Sequence, residues 1–490
     1  MSNADIDKTP PHRKSLDKAF TFKDYLSLGI GSMIGIGWVV VAGDWLKRGG
    51  PLGAILAFIL GGLLLISVGK CYAELTSALP VAGGELAFSY KAFGTGASFL
   101  TGWLIALDYT IVCPFETVAA GWLFEHIFPG MKTKALYAIY GYHVSLSTII
   151  PGVLIGFIII VLNYRGVRNS ATFQRFSLYF LFVCVLIFVF LALTKGNYQN
   201  LFPLFAGKKT FFSGITSIMA VLAIVHYFLA GFDIIPQAAE EAGKKVNPRD
   251  LGKAIVISIM VGVVFYVAII LAISVSMPWK TAVNLEMPTS AVFQAALGYT
   301  WAAKLVLIAA FLGLITSLNA TFIAATRIIF SAGRGGLLPK WFDGVNKQYR
   351  TPKNAIFFVG LLSLIGPFVG RSLLLPLVNV GALAFISAVW MSCLSAIRLR
   401  KKAPHLKRPY KVRTIVLYLG AVVASVLILL LVVPGSPGQL KWPSEYIIFA
   451  SWIILGYLGY RSRRKKYDIN EEERSYQILG NFSLEGKETR

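Results

Sequence analysis

Residues 29–38 read GIGSMIGIGW, with glycines at positions 29, 31, 35 and 37 inside an otherwise apolar stretch. Each glycine weakens a helix interior, so this run predicts a helix that breaks near its middle. A second such stretch is HYFLAGFDIIPQAAEE at residues 226–241, with Gly231, Asp233 and Pro236 close together. Pro236 has no N–H to give, so one helical hydrogen bond is lost there. In a bilayer, backbone groups freed in this way are tolerated only where protein or a water-filled cavity meets them.

The surroundings of both stretches place them in a bilayer. The chain has 490 residues, 56% hydrophobic and 14% charged, against roughly 25% charged in soluble domains. Apolar runs long enough to span fall near 25–46, 51–70, 98–124, 145–163, 172–194, 212–238, 254–277, 301–331, 354–370, 374–397, 414–434 and 444–460. They are numbered here as spans one to twelve. An even number puts both ends on one side, and most of the 47 Lys and Arg residues fall in the two tails and in the loops of that side. The positive-inside bias then predicts cytoplasmic termini. A formal net charge of +24 would suggest nucleic acid in a soluble chain. Here anionic lipid headgroups explain it better, and no nucleic-acid partner is expected.

The expected organisation is a cytoplasmic tail at 1–20, a transmembrane domain at 21–461 and a cytoplasmic tail at 462–490. Both tails are polar and expected to be mobile. The N-terminus MSNADIDKTPPHRK has no signal-peptide core, so the first span is expected to remain in the protein. Cys71, Cys113, Cys184 and Cys393 form no CxxC pair, which indicates neither a disulfide framework nor a zinc site. No Walker A pattern occurs, so there is no ATP motor and no cofactor is expected. Nor is there a His/Asp/Glu cluster to suggest an enzyme.

The two breakable helices lie five spans apart. That spacing matches the arrangement of transporters built from two inverted five-helix repeats, whose discontinuous helices hold the substrate. Repeat one would then cover about 21–195 and repeat two about 208–400, with two extra helices at about 413–461.

Several local patterns carry a family resemblance. They are GSMIGIG in span one, YAELTSALPVAGGELAFSYKAFG after span two, and NYRGVRNSA before span five. GFD follows in span six, LNATFIAATRIIFSAGRGGLLPKWF in and after span eight, and PHLKRPYKV in the basic loop near residue 404. In this order and spacing they resemble the amino acid–polyamine–organocation (APC) superfamily, and its amino acid permeases in particular. The resemblance implies an all-α polytopic fold of about twelve helices, with helices one and six discontinuous. It also implies amino acids or related amines as substrates.

A binding site can be laid out on these expectations. Unpaired N–H groups around Ser32, Met33, Ile34 and Gly35 would receive a substrate carboxylate at the N-terminus of the outer half-helix. Carbonyls near Ile30 and around Phe228 and Leu229 would receive its ammonium, and Tyr227 and Phe232 would close over it. Three acidic residues lie within spans away from their ends: Asp108, Glu116 and Asp233. Charge in the membrane is expensive, so such residues are functional candidates for a coupling proton or a cationic substrate. The alternative for Glu116 is a structural hydrogen bond between helices, and for Asp233 stabilisation of a gate. His226 reads as a packing residue. Some proton-coupled relatives carry a lysine in span five near Leu181, where this chain is apolar. A sodium site could form from Gly31, Ile34, Gly313, Thr316 and Ser317, against the alternative of hydroxyls bonding their own helix. The expected protein is thus a plasma-membrane transporter or exchanger of amino acids or amines. The alternatives are a polyamine antiporter or exporter and a non-transporting amino-acid sensor.

Overall fold

The computed structural model describes residues 13–483, apart from 140–141, 208–210, 286, 298–299, 371–373, 434–435, 437–438 and 467–468. It is an all-α polytopic membrane protein. Eight described helices are long and apolar enough to cross a membrane, and two shorter ones, Phe212–Phe228 and Lys353–Val369, are also apolar. Lipid has replaced water as the solvent for much of the surface. Spans four, five and eleven expose Leu154, Phe157, Phe176, Leu186, Phe190, Val422 and Leu429 on their outer sides, as a lipid-facing helix must.

Span one is broken where its glycines lie. One helix runs Phe22–Met33, residues 34–36 are non-helical, and Gly37–Val40 resumes before the chain enters Ala42–Ala78. That last helix contains the end of span one and all of span two. It reverses direction at Gly50, whose φ of 67° suits glycine, followed by Pro51. Span six is helical over Phe211–Phe228, turns through residues 229–233, and resumes at Ile234–Gln237. Span three, Thr95–Ile127, and span eight, Thr300–Arg334, run unbroken past both interruptions.

Both chain ends lie on one face of the protein, hereafter the termini face. Arg13 donates to the carbonyl of Gln477, in the helix Glu471–Leu479. The described parts of both tails pack against this face. Ile478 and Leu479 are fully buried, and Lys91 holds the carbonyl of Phe482. Thr95, at the start of span three, bonds Glu471 on this face. Span three is 33 residues long, about 50 Å of helix, so its far end marks the opposite face. There a short hairpin, Ala135–Ile139 with Tyr142–Ser145, precedes span four, Leu146–Tyr164. The sequence reading did not anticipate these strands.

Candidate binding cavity between the broken helices

The two interruptions touch. Gly231 has φ of 126° and no Cβ, and Ser32 occupies the space that a Cβ would take. Freed carbonyls around the first break find donors. Tyr266 donates to Met33 O at 2.7 Å, Thr316 to Gly31 O at 3.2 Å, and Thr289 to Trp38 O at 2.6 Å. The N–H of Ile34 still bonds Ile30 O. Ser32 and Met33 remain in the first helix. Among the described residues, the N–H groups of Gly35, Ile36 and Gly37 have no protein acceptor. The free donors therefore sit at 35–37, overlapping the expected 32–35 stretch at Gly35. In the low-dielectric interior they need a polar partner.

These groups border a cavity of about 360 Å³. It extends along span three from Asp108 and Tyr109 to Trp122 and reaches Tyr142 of the hairpin, so it leads toward the hairpin face. Ser32, Met33 and Gly35 line it from the first break; Tyr227, Phe228 and Asp233 line it from the second. Ile30, Ile34, Leu229 and Phe232 do not. Phe232 instead packs edge-on against Tyr72, with ring centroids 5.3 Å apart. Gly37 lets Phe228 approach closely: an added Cβ would lie 3.1 Å from the ring. Phe228 is in turn wedged against Trp45, which packs on Phe58 and Tyr266.

The charge pattern is one-sided. Asp108, Glu116 and Asp233 line the cavity, and no Lys, Arg or His does among the described residues. Glu116 stands beside the first break, with one oxygen 3.5 Å from the place of a Cβ on Gly35. Its other oxygen is buried without a partner. Asp233 accepts from Tyr109 at 2.5 Å and from the N–H of Gly231 at 2.8 Å. That second bond holds the turn of the second break in shape. Asp108 lies beside Gly381, 3.1 Å from the place of a Cβ. His226 is away from the cavity lining.

The oxygen atoms named for a cation are gathered only in part. Thr316 bonds both Gly31 O and Gly313 O, and a Cβ on Gly313 would stand 2.6 Å from Ile34 O. This set suits a hard cation in donor type. Ser317, however, lines the cavity beside Glu116. Leu181 is fully buried, its side chain 2.9 Å from the same place on Gly313. The described residues include no His/Cys/Asp/Glu cluster suited to a metal.

Below the cavity the protein is shut by charge. Arg327 makes a two-pronged pair with Glu241 at 2.6 and 3.0 Å, both side chains wholly buried. Arg334 pairs likewise with Glu240, and Arg13 from the N-terminal tail adds a second pair to the same carboxylate. Burial works against the charge on Glu240, yet the two guanidinium groups hold its carboxyl well below the usual carboxylate range.

Residues 20–458 match the model of the family described as amino acid permease. This chain belongs to the amino acid permease family. That is a family of transporters, not enzymes. The permease is 29% identical over 465 residues to the branched-chain amino acid permease BcaP of Bacillus subtilis (strain 168), covering 93% of this chain and 94% of the relative. It is 28% identical over 462 residues to the methylthioribose transporter of the same organism, covering 93% and 95%. It is 31% identical over 407 residues to the cationic amino acid transporter 3, mitochondrial, of Arabidopsis thaliana, covering 79% of this chain and 63% of the relative.

Some site residues of the permease had no signal in the sequence. Tyr266, which caps Met33 O, reads as one more aromatic in an apolar span. Tyr109 and Ile36 are equally anonymous. A run of HYFLAGFD announces a break but not its φ angles, so it does not say that Phe232 turns away from the cavity toward Tyr72.

Proposed function

We propose that this permease is a secondary transporter or exchanger of amino acids or related amines that works by alternating access. One observation carries the reading: backbone N–H groups without acceptors and carboxyl groups without cations line the same cavity, at the junction of two broken helices. An amino-acid carboxylate supplies acceptors for Gly35, Ile36 and Gly37, where the dipole of the outer half-helix favours an anion. Its ammonium group supplies the cation that the cavity walls lack. Glu116, next to Gly35, would repel the substrate carboxylate if both were ionised. Substrate binding thus favours either a protonated Glu116 or one that faces the substrate's amine.

Alternating access is supported by the asymmetry of the two ends. The cavity leads to the hairpin face, while the pairs at Glu240 and Glu241 shut the termini face. Exchange of those roles would carry the solute across. The two breaks also fit twelve spans built as two inverted repeats plus two helices, with cytoplasmic termini in a plasma membrane. The three carboxyls give specific weight to basic substrates, and so to an amine or polyamine antiporter as second reading. Counterflow in proteoliposomes tests the proposal. Loaded unlabelled amino acid should drive uptake of the labelled one; binding without any counterflow would identify a sensor instead.

A further inference from the structure

Between the cavity and the termini face lies a carboxyl that the binding site does not use. Glu85 opens the helix Gly84–Phe93 and is fully buried. One oxygen accepts from the side-chain amide of Gln237, in the second half of span six. The other oxygen has no partner. The Oε1 of Gln237 is also buried without a partner, and the Tyr72 hydroxyl stands close to Glu85. Two unsatisfied oxygens, one on Glu85 and one on Gln237, are thus buried side by side. Buried polar atoms left unpaired are costly, so the cluster calls for a group that has not been counted.

A proton on Glu85 answers that need. The neutral acid has an O–H to donate and avoids a bare charge, which is costly in this setting. Among the described residues, no fixed cation answers it instead. The titratable groups acting on Glu85 are Asp233 from span six and Tyr72 from span two, with Tyr109 of span three close by. The helix of span ten brings Cys393 beside Tyr72, and its Arg398 and Lys402 contact Phe93 and the Lys91 and Ala92 carbonyls at the far end of the short helix. On span eight, Arg327 and Arg334 are taken by Glu241 and Glu240. The C-terminal helix brings Glu471, but to Tyr90 at the other end of the same short helix.

The position of Glu85 also gives the proton a route. Asp233 lines the cavity and accepts from Tyr109, which is within electrostatic reach of Glu85 and Tyr72. On the other side, the loop leading into Glu85 is tied to the gate. The Ala82 N–H donates to Glu240 at 3.2 Å, Ser331 donates to Ala82 O, and the Gly83 N–H donates to Gln237 O. Separation of Arg334 and Arg13 from Glu240 would therefore move this loop and admit water to the carboxyl.

We propose that Glu85 is a proton-binding site on the transport route of this permease: it holds a proton while the termini face is closed and releases it to that side when the face opens. The proton enters from the cavity side, and nothing is oxidised or reduced. This rests on the transport reading above and adds a proton-driven direction to it.

The test uses the full-length protein in proteoliposomes, with labelled L-leucine and L-lysine as probes, in two assays. Counterflow at equal pH needs no net proton movement; uptake driven by an imposed pH gradient does. Glu85→Gln should keep counterflow and lose gradient-driven accumulation. Glu85→Asp, which keeps an ionisable group and guards against misfolding, should retain both with a shifted pH profile. Infrared difference spectra between acid and alkaline buffers should show a protonated-carboxyl band in the wild type that Glu85→Gln lacks. Gradient-driven accumulation that survives in Glu85→Gln, or the absence of a Glu85-dependent band, overturns the proposal. A wild-type protein that exchanges either probe but ignores the gradient also overturns it and leaves transport standing. One that exchanges no member of an amino-acid panel overturns the transport reading itself.

Discussion

Ser32 and Gly231 meet where the two interrupted helices cross, and the serine hydroxyl fills the space that any side chain at 231 would need. Gly231 also has φ of 126°, outside the range comfortable for other residues. Its N–H is fixed by the Asp233 carboxylate two residues on. The breaks are therefore mutually fitted, and the geometry of one depends on the other. Gly231→Ala should cost about 1–3 kcal/mol from backbone strain alone, with further loss from the clash with Ser32. Ser32→Gly in the same protein should recover only the clash. Thermal unfolding of the two single variants and the double variant measures this, and a purely additive result would mean that the breaks are independent.

Glu116 occupies the point where substrate charge and proton meet. Glu116→Gln keeps the shape of the side chain but removes its charge. If the carboxyl takes up a proton or faces an amine, the variant should show a flattened pH dependence of uptake, a loss of preference for lysine over leucine, or both. Measurement of uptake for both substrates across pH distinguishes these outcomes. A profile unchanged from wild type would assign Glu116 to helix packing.

The Arg327–Glu241 pair predicts a sharp contrast between single and double variants. Leaving one buried charge without its partner costs about 3–5 kcal/mol, whereas replacing both with apolar residues is often neutral or stabilising. Arg327→Met should lower the unfolding temperature strongly, and Arg327→Met with Glu241→Leu should restore most of it. The double variant should also leave the termini face easier to open, read as faster labelling of a cysteine placed at Ser331. Restored stability without faster labelling would separate the pair from the gate.

Glu240 makes the closed state depend on acid in a defined direction. Its carboxyl is held below its ordinary value by Arg334 and Arg13, which outweigh burial. A carboxyl with a depressed value contributes stability above its unfolded value, about 4. That contribution is lost as pH falls through the lower folded value. The termini face should thus stay closed as pH falls through the ordinary carboxylate range and loosen only below it. Removing Arg13 with Arg13→Gln should bring that loosening to higher pH. The same cysteine-labelling assay, run as a pH series, gives the midpoint; a midpoint unmoved by Arg13→Gln would show that the tail does not hold the gate.

How much of this was legible in the sequence follows from the distance over which each feature acts. The breaks are local: clustered glycines in GIGSMIGIGW and the Gly231–Pro236 run weaken helices wherever they stand. Asp108, Glu116 and Asp233 were visible because charge is rare in apolar runs. The cavity's free donors overlap the expected 32–35 window only at Gly35, since the first helix holds together through Ile34 N–H to Ile30 O. Phe232 was misdirected because helical periodicity does not extend through residues 229–233. Arg327 and Glu85 lie within the motifs that carry the resemblance, but their roles were not legible there. Each depends on a partner far away in the chain, Glu241 or Gln237. The docked C-terminal helix was hidden for the same reason, as its apolar Ile478 and Leu479 look minor beside a charged tail.

The most direct measurement is thermal unfolding of the purified protein against a panel of amino acids, amines and polyamines, with and without sodium, for wild type and Gly35→Leu. A ligand that binds only the folded state raises stability by about 2.7 kcal/mol at a hundredfold excess over Kd. A leucine side chain at 35 would project toward Glu116 and Ser317 and fill the cleft between the breaks. The cavity described here predicts that at least one amino acid or amine stabilises the wild type and that Gly35→Leu abolishes the effect. Equal stabilisation of both proteins, or no response to any member of the panel, would contradict it.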